Sequence, residues 1–515
     1  MKKTIYIAAT SVFLFFVILP LFGVAADSFI KDGAISLKNY TDIFNGTTLK
    51  LVLKSIAIAF NAALLSTLCG GFFAFTLNKT DLPLHHIFKL LLLIPLFISP
   101  YIIAVSWADF FILIGIGKDF IYSEYGVIFV MSIIYAPLAM IIIGSGLGNL
   151  SVVYEEAALM ISDYKQTIVK IIIPLLKPAI FSAFILIFVL NLSEFTVPSF
   201  LSVNVLTTEI FTQFSAFYNY GAAVANSMIL IVISISLLML ERFYLSDAPF
   251  LALNVRSHRT KRIALKTIKL PLLFTHAAYL LLSVFIPLIV LIIQSFYSGK
   301  SHFLQALSLL SPDISASVLT ATFGAFILLI FGFIFAYLSE REKVKPLNLI
   351  LLISFGIPST VLGIGLIKFF NTPHFNFIYS GFWIIVIGYL GRFIFISEKL
   401  ISNAIKQVPF SFEEAGELAG AGFFFRIRKI VIPLTADGLF AAFLISFIFS
   451  LGELGTTILI YPPGTSLLPV KVFTIMANAP QSLVSAMSLI VLLITLTALI
   501  ILFIGQKLFF KKKWS

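Results

Sequence analysis

The stretches FSAFILIFVLNLSEF, residues 181–195, and FAAFLISFIFSLGEL, residues 440–454, are two apolar runs that each carry one charged residue. A helix needs roughly 20 residues to cross a hydrocarbon core of about 30 Å, so such runs are typical of membrane-spanning helices. Their charged residues, Glu194 and Glu453, lie 259 positions apart (453 − 194). The two runs therefore predict both a membrane protein and an internal repeat.

The composition of the whole chain agrees with a membrane protein. Hydrophobic residues make up 60% of the 515 residues and charged residues only 11%, whereas soluble domains carry about 25% charged residues. The apolar runs lack the alternation of a membrane β-barrel. They predict twelve spans, at residues 4–26, 52–77, 87–107, 124–146, 177–199, 223–244, 271–295, 315–338, 347–369, 378–398, 435–458 and 484–507.

The repeat divides the chain into two halves. We predict a first half at residues 1–250, a basic cytoplasmic linker at 251–270 and a second half at 271–515, with six spans in each half. Because six is an even number, both halves have the same orientation in the membrane and form a parallel repeat. The predicted fold class is an all-α polytopic membrane protein of two tandem six-helix units, a geometry typical of transporters.

Basic residues lie mainly on one predicted side of the membrane. Lysine and arginine concentrate in cytoplasmic loops, so both termini are predicted to be cytoplasmic. This asymmetry accounts for the net charge of +12 without a nucleic-acid partner, and it predicts contact with anionic membrane lipid. Cys69 is the single cysteine and therefore predicts neither an intramolecular disulfide nor a metal site.

A polar segment occurs once in each half, on the predicted cytoplasmic side. The first polar segment, residues 155–174, reads EEAALMISDYKQTIVKIIIP, and the second polar segment, residues 413–433, reads EEAGELAGAGFFFRIRKIVIP. Each opens with paired glutamates and small residues, continues through a basic amphipathic stretch and ends in a proline. Such a segment at a membrane face either lies on lipid or binds a partner; its duplication favours a partner.

The second polar segment resembles the EAA loop of permease subunits of ATP-binding-cassette (ABC) importers. The family pattern is Glu-Ala-Ala, three residues, Gly, nine residues and Ile-x-Leu-Pro. The matching residues are Glu414, Ala415, Gly420 and Pro433, while Gly416 stands in place of the second alanine.

The first polar segment resembles the same loop in a degenerate form. It has Glu156, Ala157 and Ala158, but Ser162 replaces the glycine, and Pro174 comes one residue early. The offset between the copies is 258 at the glutamates (414 − 156) and 259 at the prolines (433 − 174).

The resemblance implies a type I ABC importer permease in a fused twelve-span form, located in the bacterial inner membrane. It implies that the loops bind two copies of a separate ATPase subunit, which holds ATP and Mg, and that a periplasmic or lipid-anchored protein delivers the substrate. This chain itself is then not an enzyme and has no cofactor. The nearest match to a phosphate-binding loop ends in Gly-Lys-Ser at 299–301, but Gln294 stands where that loop requires glycine.

Longer stretches resemble the ferric iron group of these permeases, namely residues 94–107, 207–222 and 451–470. This favours ferric iron as the substrate, with thiamine, an aminoalkylphosphonate or an oxyanion as alternatives. A different class, the ion-coupled secondary transporter, is also often built from two six-span halves. That class is expected to carry several charged residues in mid-membrane, which are few here.

Four residues are candidates for the translocation path or an outer gate: Glu194, Glu453, Tyr101 and Tyr218. Ionisable residues within spans usually face a cavity or a partner, and their oxygens would suit passing Fe³⁺ without a tightly bound metal. The alternative is a structural role. Gly452 and Gly455 flank Glu453, and Pro198 follows Glu194, so each carboxylate could cap a break in a helix.

Overall fold

The computed structural model describes residues 2–31, 34–43, 46–150, 152–160, 162–245, 263–265, 268–297 and 300–511. Most of the predicted linker at 251–270 lies outside these residues. The described chain is almost entirely helical, and its one sheet is a short antiparallel pair of strands, Ile30–Lys31 and Ala34–Ile35. The described residues divide into two compact units that do not follow the repeat boundary.

The first unit consists of the described residues within 1–49, 206–231 and 292–515. It therefore combines the N-terminal span with most of the second half. Its helices are Lys2–Phe13, the π-helix Leu14–Ile18, Leu19–Ser28, Lys38–Ile43, Leu206–Ser215, the start of Tyr220–Leu245, Lys300–Arg341, Lys345–Gly356, Ser359–Phe370, the 3₁₀-helix Pro373–Phe375, Asn376–Tyr379, Trp383–Lys406, Ser411–Leu418, Phe423–Arg426, the π-helix Ile427–Val431, Ile432–Leu434, Ala436–Gly452, Thr457–Ile460, Leu468–Met476 and Gln481–Lys511.

The second unit consists of the described residues within 50–205 and 232–291. It combines most of the first half with the first span of the second half. Its helices are most of Gly46–Lys79, His85–Leu91, the 3₁₀-helix Ile94–Phe97, Pro100–Leu113, Lys118–Ile121, Glu124–Asn149, Val152–Leu159, Tyr164–Thr167, the π-helix Ile168–Ile172, Ile173–Leu192, Thr196–Phe200, the end of Tyr220–Leu245, Lys269–Leu280, the π-helix Leu281–Phe285 and the start of Ile286–Phe296.

By length and composition, eight helices of the described chain can cross a membrane, or eleven when each of three bent pairs counts as one span. Each of these eleven overlaps one predicted span, but the predicted spans at 177–199 and 435–458 run past the helix ends at Leu192 and Gly452. The predicted span at 378–398 corresponds to the helix Trp383–Lys406, which carries Arg392, Glu398 and Lys399 and is therefore more charged than the others. The all-α polytopic fold is confirmed.

Two of the bent pairs mark the repeat in the backbone. The chain turns by 94° between His85–Phe97 and Pro100–Leu113, and by 101° between Pro346–Gly356 and Ser359–Phe370. In each turn the residue before a proline, Ser99 or Ile357, has an extended ψ of 135° or 126°. A proline disfavours helical geometry in the residue before it, so both helices break there.

The first span of each half packs within the unit formed mainly by the other half. In the first unit, the Phe13 ring lies 5.6 Å from the Phe335 ring, and the Phe16 ring stacks on Phe370 at 5.8 Å. In the second unit, the Tyr279 hydroxyl donates a hydrogen bond to Ile133 O at 2.7 Å. Each compact unit is therefore completed by a helix from the other sequence half.

The end of the basic linker is fixed to the second unit. The Ile263 N–H donates to Lys79 O at 2.9 Å, and the Asp81 carboxylate forms an ion pair with Lys269 Nζ at 2.9 Å. The hydrogen bond from Lys269, together with one from the Leu265 N–H, lowers the pKa of Asp81 below its ordinary value. The carboxylate therefore stays ionised under neutral conditions and anchors the start of the seventh predicted span.

Candidate functional site: the polar segments and the buried carboxylates

The second polar segment begins with a helix, Ser411–Leu418, that ends in a Schellman motif. The Ala421 N–H donates to Gly416 O at 2.9 Å, and the Gly420 N–H donates to Glu417 O at 2.9 Å. This pair of bonds places Gly420 in the left-handed region, at φ 81°. Only glycine adopts that conformation without strain, so the glycine of the sequence pattern has a conformational cause.

Gly420→Ala should destabilise this turn by about 1–2 kcal/mol, because a side chain in the left-handed region contacts its own backbone. The amides of residues 419–422 should then exchange with solvent about 5–30 times faster in the purified protein. Gly422→Ala is the matched control, since Gly422 has φ −64° and open space around its Cα. Equal exchange rates in the two variants would contradict this account of the turn.

One face of the helix Ser411–Leu418 is exposed. Glu414 and Ala415 are exposed, and the Leu418 side chain is 90% exposed. Glu414 and Leu418 are four residues apart and so lie on the same helix face. Leu418 is not among the predicted coupling residues; the signal for it is an apolar residue one helical turn after the motif glutamate. The face presents a carboxylate beside an uncovered apolar side chain.

The opposite face of this helix carries Glu413, which is only 2% exposed. Both of its carboxylate oxygens are satisfied: the Tyr337 hydroxyl donates to Oε2 at 2.6 Å, and Arg341 Nε donates to Oε1 at 2.8 Å. Tyr337 and Arg341 belong to the last turns of the helix Lys300–Arg341. Glu413 and Glu414 are predicted only as one pair, although adjacent helical residues point about 100° apart.

The arginine of this network is itself fixed in place. Arg341 Nη2 donates to Val408 O at 2.8 Å and to Ile405 O at 3.3 Å, and its guanidinium lies 5.3 Å from the centre of the Phe410 ring. A buried ion pair persists when its remaining hydrogen-bonding groups also find partners. Arg341 therefore joins the helix before the second polar segment, the turn into it and Glu413 within it.

The first polar segment has the same order of elements with a shorter turn. Glu156 and Ala157 are exposed, Ala158 is buried, and Met160 is 86% exposed. Met160 thus corresponds to Leu418 at the same offset of 258 (418 − 160), and it too is absent from the predicted residues. Two residues separate Met160 from the next helix N-cap, Asp163, whereas three separate Leu418 from the N-cap Gly422.

Ser162 explains how the shorter turn does without glycine. Its φ is not positive, and its N–H donates to Ala158 O at 2.9 Å in an ordinary helical bond. Its hydroxyl also donates to Ala158 O, at 2.8 Å. The serine in place of glycine and the missing residue therefore have one structural basis: the first segment keeps a helical bond at Ser162 where the second segment forms a left-handed turn.

Both polar segments end in a π-helix followed by the motif proline. Pro174 lies in the first turn of Ile173–Leu192, after the π-helix Ile168–Ile172, and Pro433 lies in Ile432–Leu434, after Ile427–Val431. Ile172 and Val431 are themselves helical, so each proline lies inside a continuous helix where it cannot donate the usual backbone hydrogen bond, and the π-helical turn lies directly before that gap. The copies differ beyond this point, because Tyr164–Leu192 continues as one span whereas the second copy bends by 76° before Ala436–Gly452.

The buried carboxylates Glu194 and Glu453 both lie at breaks between helices. Glu194 Oε1 accepts from the Thr196 N–H at 2.8 Å, where Thr196–Phe200 begins. Glu453 accepts from the N–H groups of Thr456 and Thr457, at 2.7 and 3.0 Å. These contacts are those of the structural alternative: each carboxylate caps the next helix. A role in the translocation path stays a prediction.

The two tyrosines predicted for the path have very different surroundings. Tyr101 is fully buried, and its ring stacks on Phe200 at 5.3 Å. Tyr218 is 85% exposed and has a left-handed φ of 52°. Within the described ranges, no three His, Cys, Asp or Glu side chains gather in the way that metal ligands do.

The first unit also contains a polar cleft of about 540 Å³, which is not among the predicted sites. Asp27 forms an ion pair there with Lys368 at 2.7 Å and accepts a hydrogen bond from the Tyr220 hydroxyl at 3.1 Å. The buried side-chain oxygen of Asn226, which also lines the cleft, has no hydrogen-bond partner in the described part of the chain. Opposite charges at the ends of two predicted spans are the signal that could have indicated it.

The family of binding-protein-dependent transport system inner membrane components matches this chain twice, at residues 62–244 and 329–514. Each matched region contains one polar segment and one capping carboxylate. The tandem repeat is confirmed by this double match.

Individual relatives include proteins similar over most of the chain. The Fe(3+)-transport system permease protein FbpB 2 of Haemophilus influenzae is 23% identical over 473 residues, which cover 90% of this chain and 89% of that protein. The ferric transport system permease protein FbpB of Actinobacillus pleuropneumoniae is 21% identical over 84% of this chain and 68% of its own length. A Salmonella choleraesuis permease named for 2-aminoethylphosphonate transport is 27% identical over 40% of this chain and 81% of its own. The chain belongs to the family of binding-protein-dependent transport system inner membrane components, as an ABC importer permease that carries the family domain twice.

Proposed function

We propose that this permease imports ferric iron, that a periplasmic or lipid-anchored binding protein delivers the metal, and that two copies of a separate ATPase drive its passage. The observation that carries the substrate is that relatives similar over both halves of this chain are named for ferric iron transport. A relative named for Fe(3+) transport aligns with 90% of the chain, whereas one named for 2-aminoethylphosphonate aligns with 40%.

The two polar segments are the proposed binding sites for the ATPase. The second segment offers the exposed face of Glu414, Ala415 and Leu418, and the first offers Glu156 and Met160. An apolar side chain beside a charged one is a common form of interface anchor, in which the apolar group is covered and the charge selects the partner. One ATPase copy for each segment gives two copies. ATP and Mg then bind that partner, and both termini lie on the same cytoplasmic side.

The buried carboxylates fit an outer gate better than an iron ligand set. Both oxygens of Glu453 already accept backbone N–H groups, so a passing cation would have to compete with those bonds. A helix that begins at a capped break can shift when its cap is disturbed, which is the property that a gate requires. Tyr101 and Tyr218 are secondary candidates for the path.

The substrate can be tested with the partner binding protein and the reconstituted transporter. We expect the binding protein to bind Fe³⁺, with thiamine, 2-aminoethylphosphonate and phosphate as competitors that bind at least 100-fold more weakly. Proteoliposomes that contain the permease and the ATPase should then accumulate iron only when ATP is present on the side of the membrane where the ATPase is bound.

Two results would contradict the proposal in different ways. Preferred binding and uptake of 2-aminoethylphosphonate, thiamine or phosphate would replace iron within the same importer class. Uptake driven by a proton or sodium gradient without ATP would indicate an ion-coupled secondary transporter. The matched control is the same vesicles loaded with a non-hydrolysable ATP analogue.

A further inference from the structure

We infer that Glu413, Tyr337 and Arg341 form a strap that fixes the second polar segment to the helix Lys300–Arg341, so that movement of the segment moves this helix. The inference rests on the proposed role of the segment as an ATPase-binding site. It assigns force transmission to three positioning residues, which are distinct from the exposed residues that would contact the ATPase.

The helix Ser411–Leu418 has two separate faces. Glu414 and Leu418 are exposed, whereas Glu413 is buried with both oxygens bonded. A substitution at Glu413 therefore leaves the exposed face in place and changes only the attachment behind it. Docking and transmission can thus be disturbed separately.

The segment is attached to the helix Lys300–Arg341 by a charged pair and a tyrosine hydroxyl. A charged pair reinforced by a neutral donor resists separation more than apolar contacts, which allow sliding, because hydrogen bonds to charged groups are short and directional. Arg341 also donates to the backbone oxygens of Ile405 and Val408. The strap therefore prevents the segment from shifting relative to the helix end.

The helix that the strap joins to the segment is long. Lys300–Arg341 has 42 residues, about 63 Å at 1.5 Å per residue. Far from the strap, its Ser317 accepts a hydrogen bond from the Leu468 N–H at 2.8 Å, and Asp313 pairs with Lys471 at 3.9 Å. These partners belong to the helix Leu468–Met476, which follows the capped break at Glu453. A displacement at the segment can thus reach the region of the proposed gate.

The test uses the full transporter in proteoliposomes, with iron-loaded binding protein, ATP and the ATPase. In Glu413→Gln and Arg341→Lys, we expect co-purification of the ATPase to stay within twofold of the unaltered protein. The number of ATP molecules hydrolysed per iron ion imported should rise at least tenfold. Tyr337→Phe, which removes one of the two bonds to Glu413, should give an intermediate ratio.

The control and the rescue separate transmission from simple loss of structure. Lys406→Met removes an ion pair with Glu340 at 3.3 Å at the same helix end but does not touch the segment, so its ratio should not change. Glu413→Asp keeps the charge opposite Arg341, so it should recover part of the coupling that Glu413→Gln loses. Variants are compared at equal amounts of inserted protein, so that reduced folding alone lowers uptake and hydrolysis together without changing the ratio.

Two results would overturn the strap. An unchanged ratio in Glu413→Gln and Arg341→Lys would show that no force passes through it. Loss of ATPase co-purification in these variants would show that the three residues shape the docking surface instead. Failure of the proposed function is recognised separately, by Glu414→Lys retaining both ATPase binding and uptake.

Discussion

Glu414→Lys should lower ATP-driven uptake at least tenfold while the permease stays folded and inserted in the membrane. Glu414 is exposed on the helix Ser411–Leu418, and surface substitutions usually change stability by about 0.5 kcal/mol or less. We expect a basic group of the ATPase to face this carboxylate. A lysine would then set like charges against each other across the interface, at a cost of several kcal/mol. Uptake by proteoliposomes and co-purification of the ATPase measure the effect.

Glu156→Lys is the matched variant in the first polar segment, and its effect should be at least threefold smaller. The first segment lacks the Schellman turn and is one residue shorter, so we expect it to fit the ATPase less well than the second. Normal uptake together with unchanged co-purification in Glu414→Lys would rule out the docking role. Equal losses in the two variants would instead rule out only the asymmetry.

Glu453→Ala should destabilise the protein strongly. Glu453 is buried, and its removal leaves the N–H groups of Thr456 and Thr457 without their acceptor. A buried donor that loses its partner costs about 1–3 kcal/mol, and two donors are affected here. The thermal unfolding midpoint of the purified permease in detergent should fall by several degrees.

Glu453→Gln is the control for this prediction, because an amide has the same shape and keeps one acceptor oxygen. Its unfolding midpoint should lie between those of Glu453→Ala and the unaltered protein. An unchanged midpoint in Glu453→Ala with abolished uptake would argue against the cap as the main role and for a direct role in the path.

The spans and their repeat could be predicted because they depend on local chemistry. Eight of the apolar runs form single helices of the described chain that are long enough to cross a bilayer, and the double family match follows the predicted repeat. The helix Trp383–Lys406 is the instructive case. Its hydrophobic residues predict a span, although its charged residues set it apart from the other spans of the described chain.

The strap could not be predicted, because its partners are far apart in the sequence. Tyr337 lies 76 residues from Glu413, and Arg341 lies 72 residues from it. Nothing in the pair of adjacent glutamates at 413–414 says which one turns inward. The burial of Tyr101 was equally hidden, because a tyrosine at the end of an apolar run is compatible with a path, an interface or a core.

The exchange of first spans between the halves has a consequence for synthesis. The helix Leu19–Ser28 packs against Ser359–Phe370, which a ribosome makes more than 300 residues later (359 − 28 = 331). The helix Leu19–Ser28 must therefore stay in the bilayer with its packing face in contact with lipid until Ser359–Phe370 has been synthesised and inserted. A gene divided at the linker would yield two products, each bearing a span that the other needs, and the pair could mature only by assembling together.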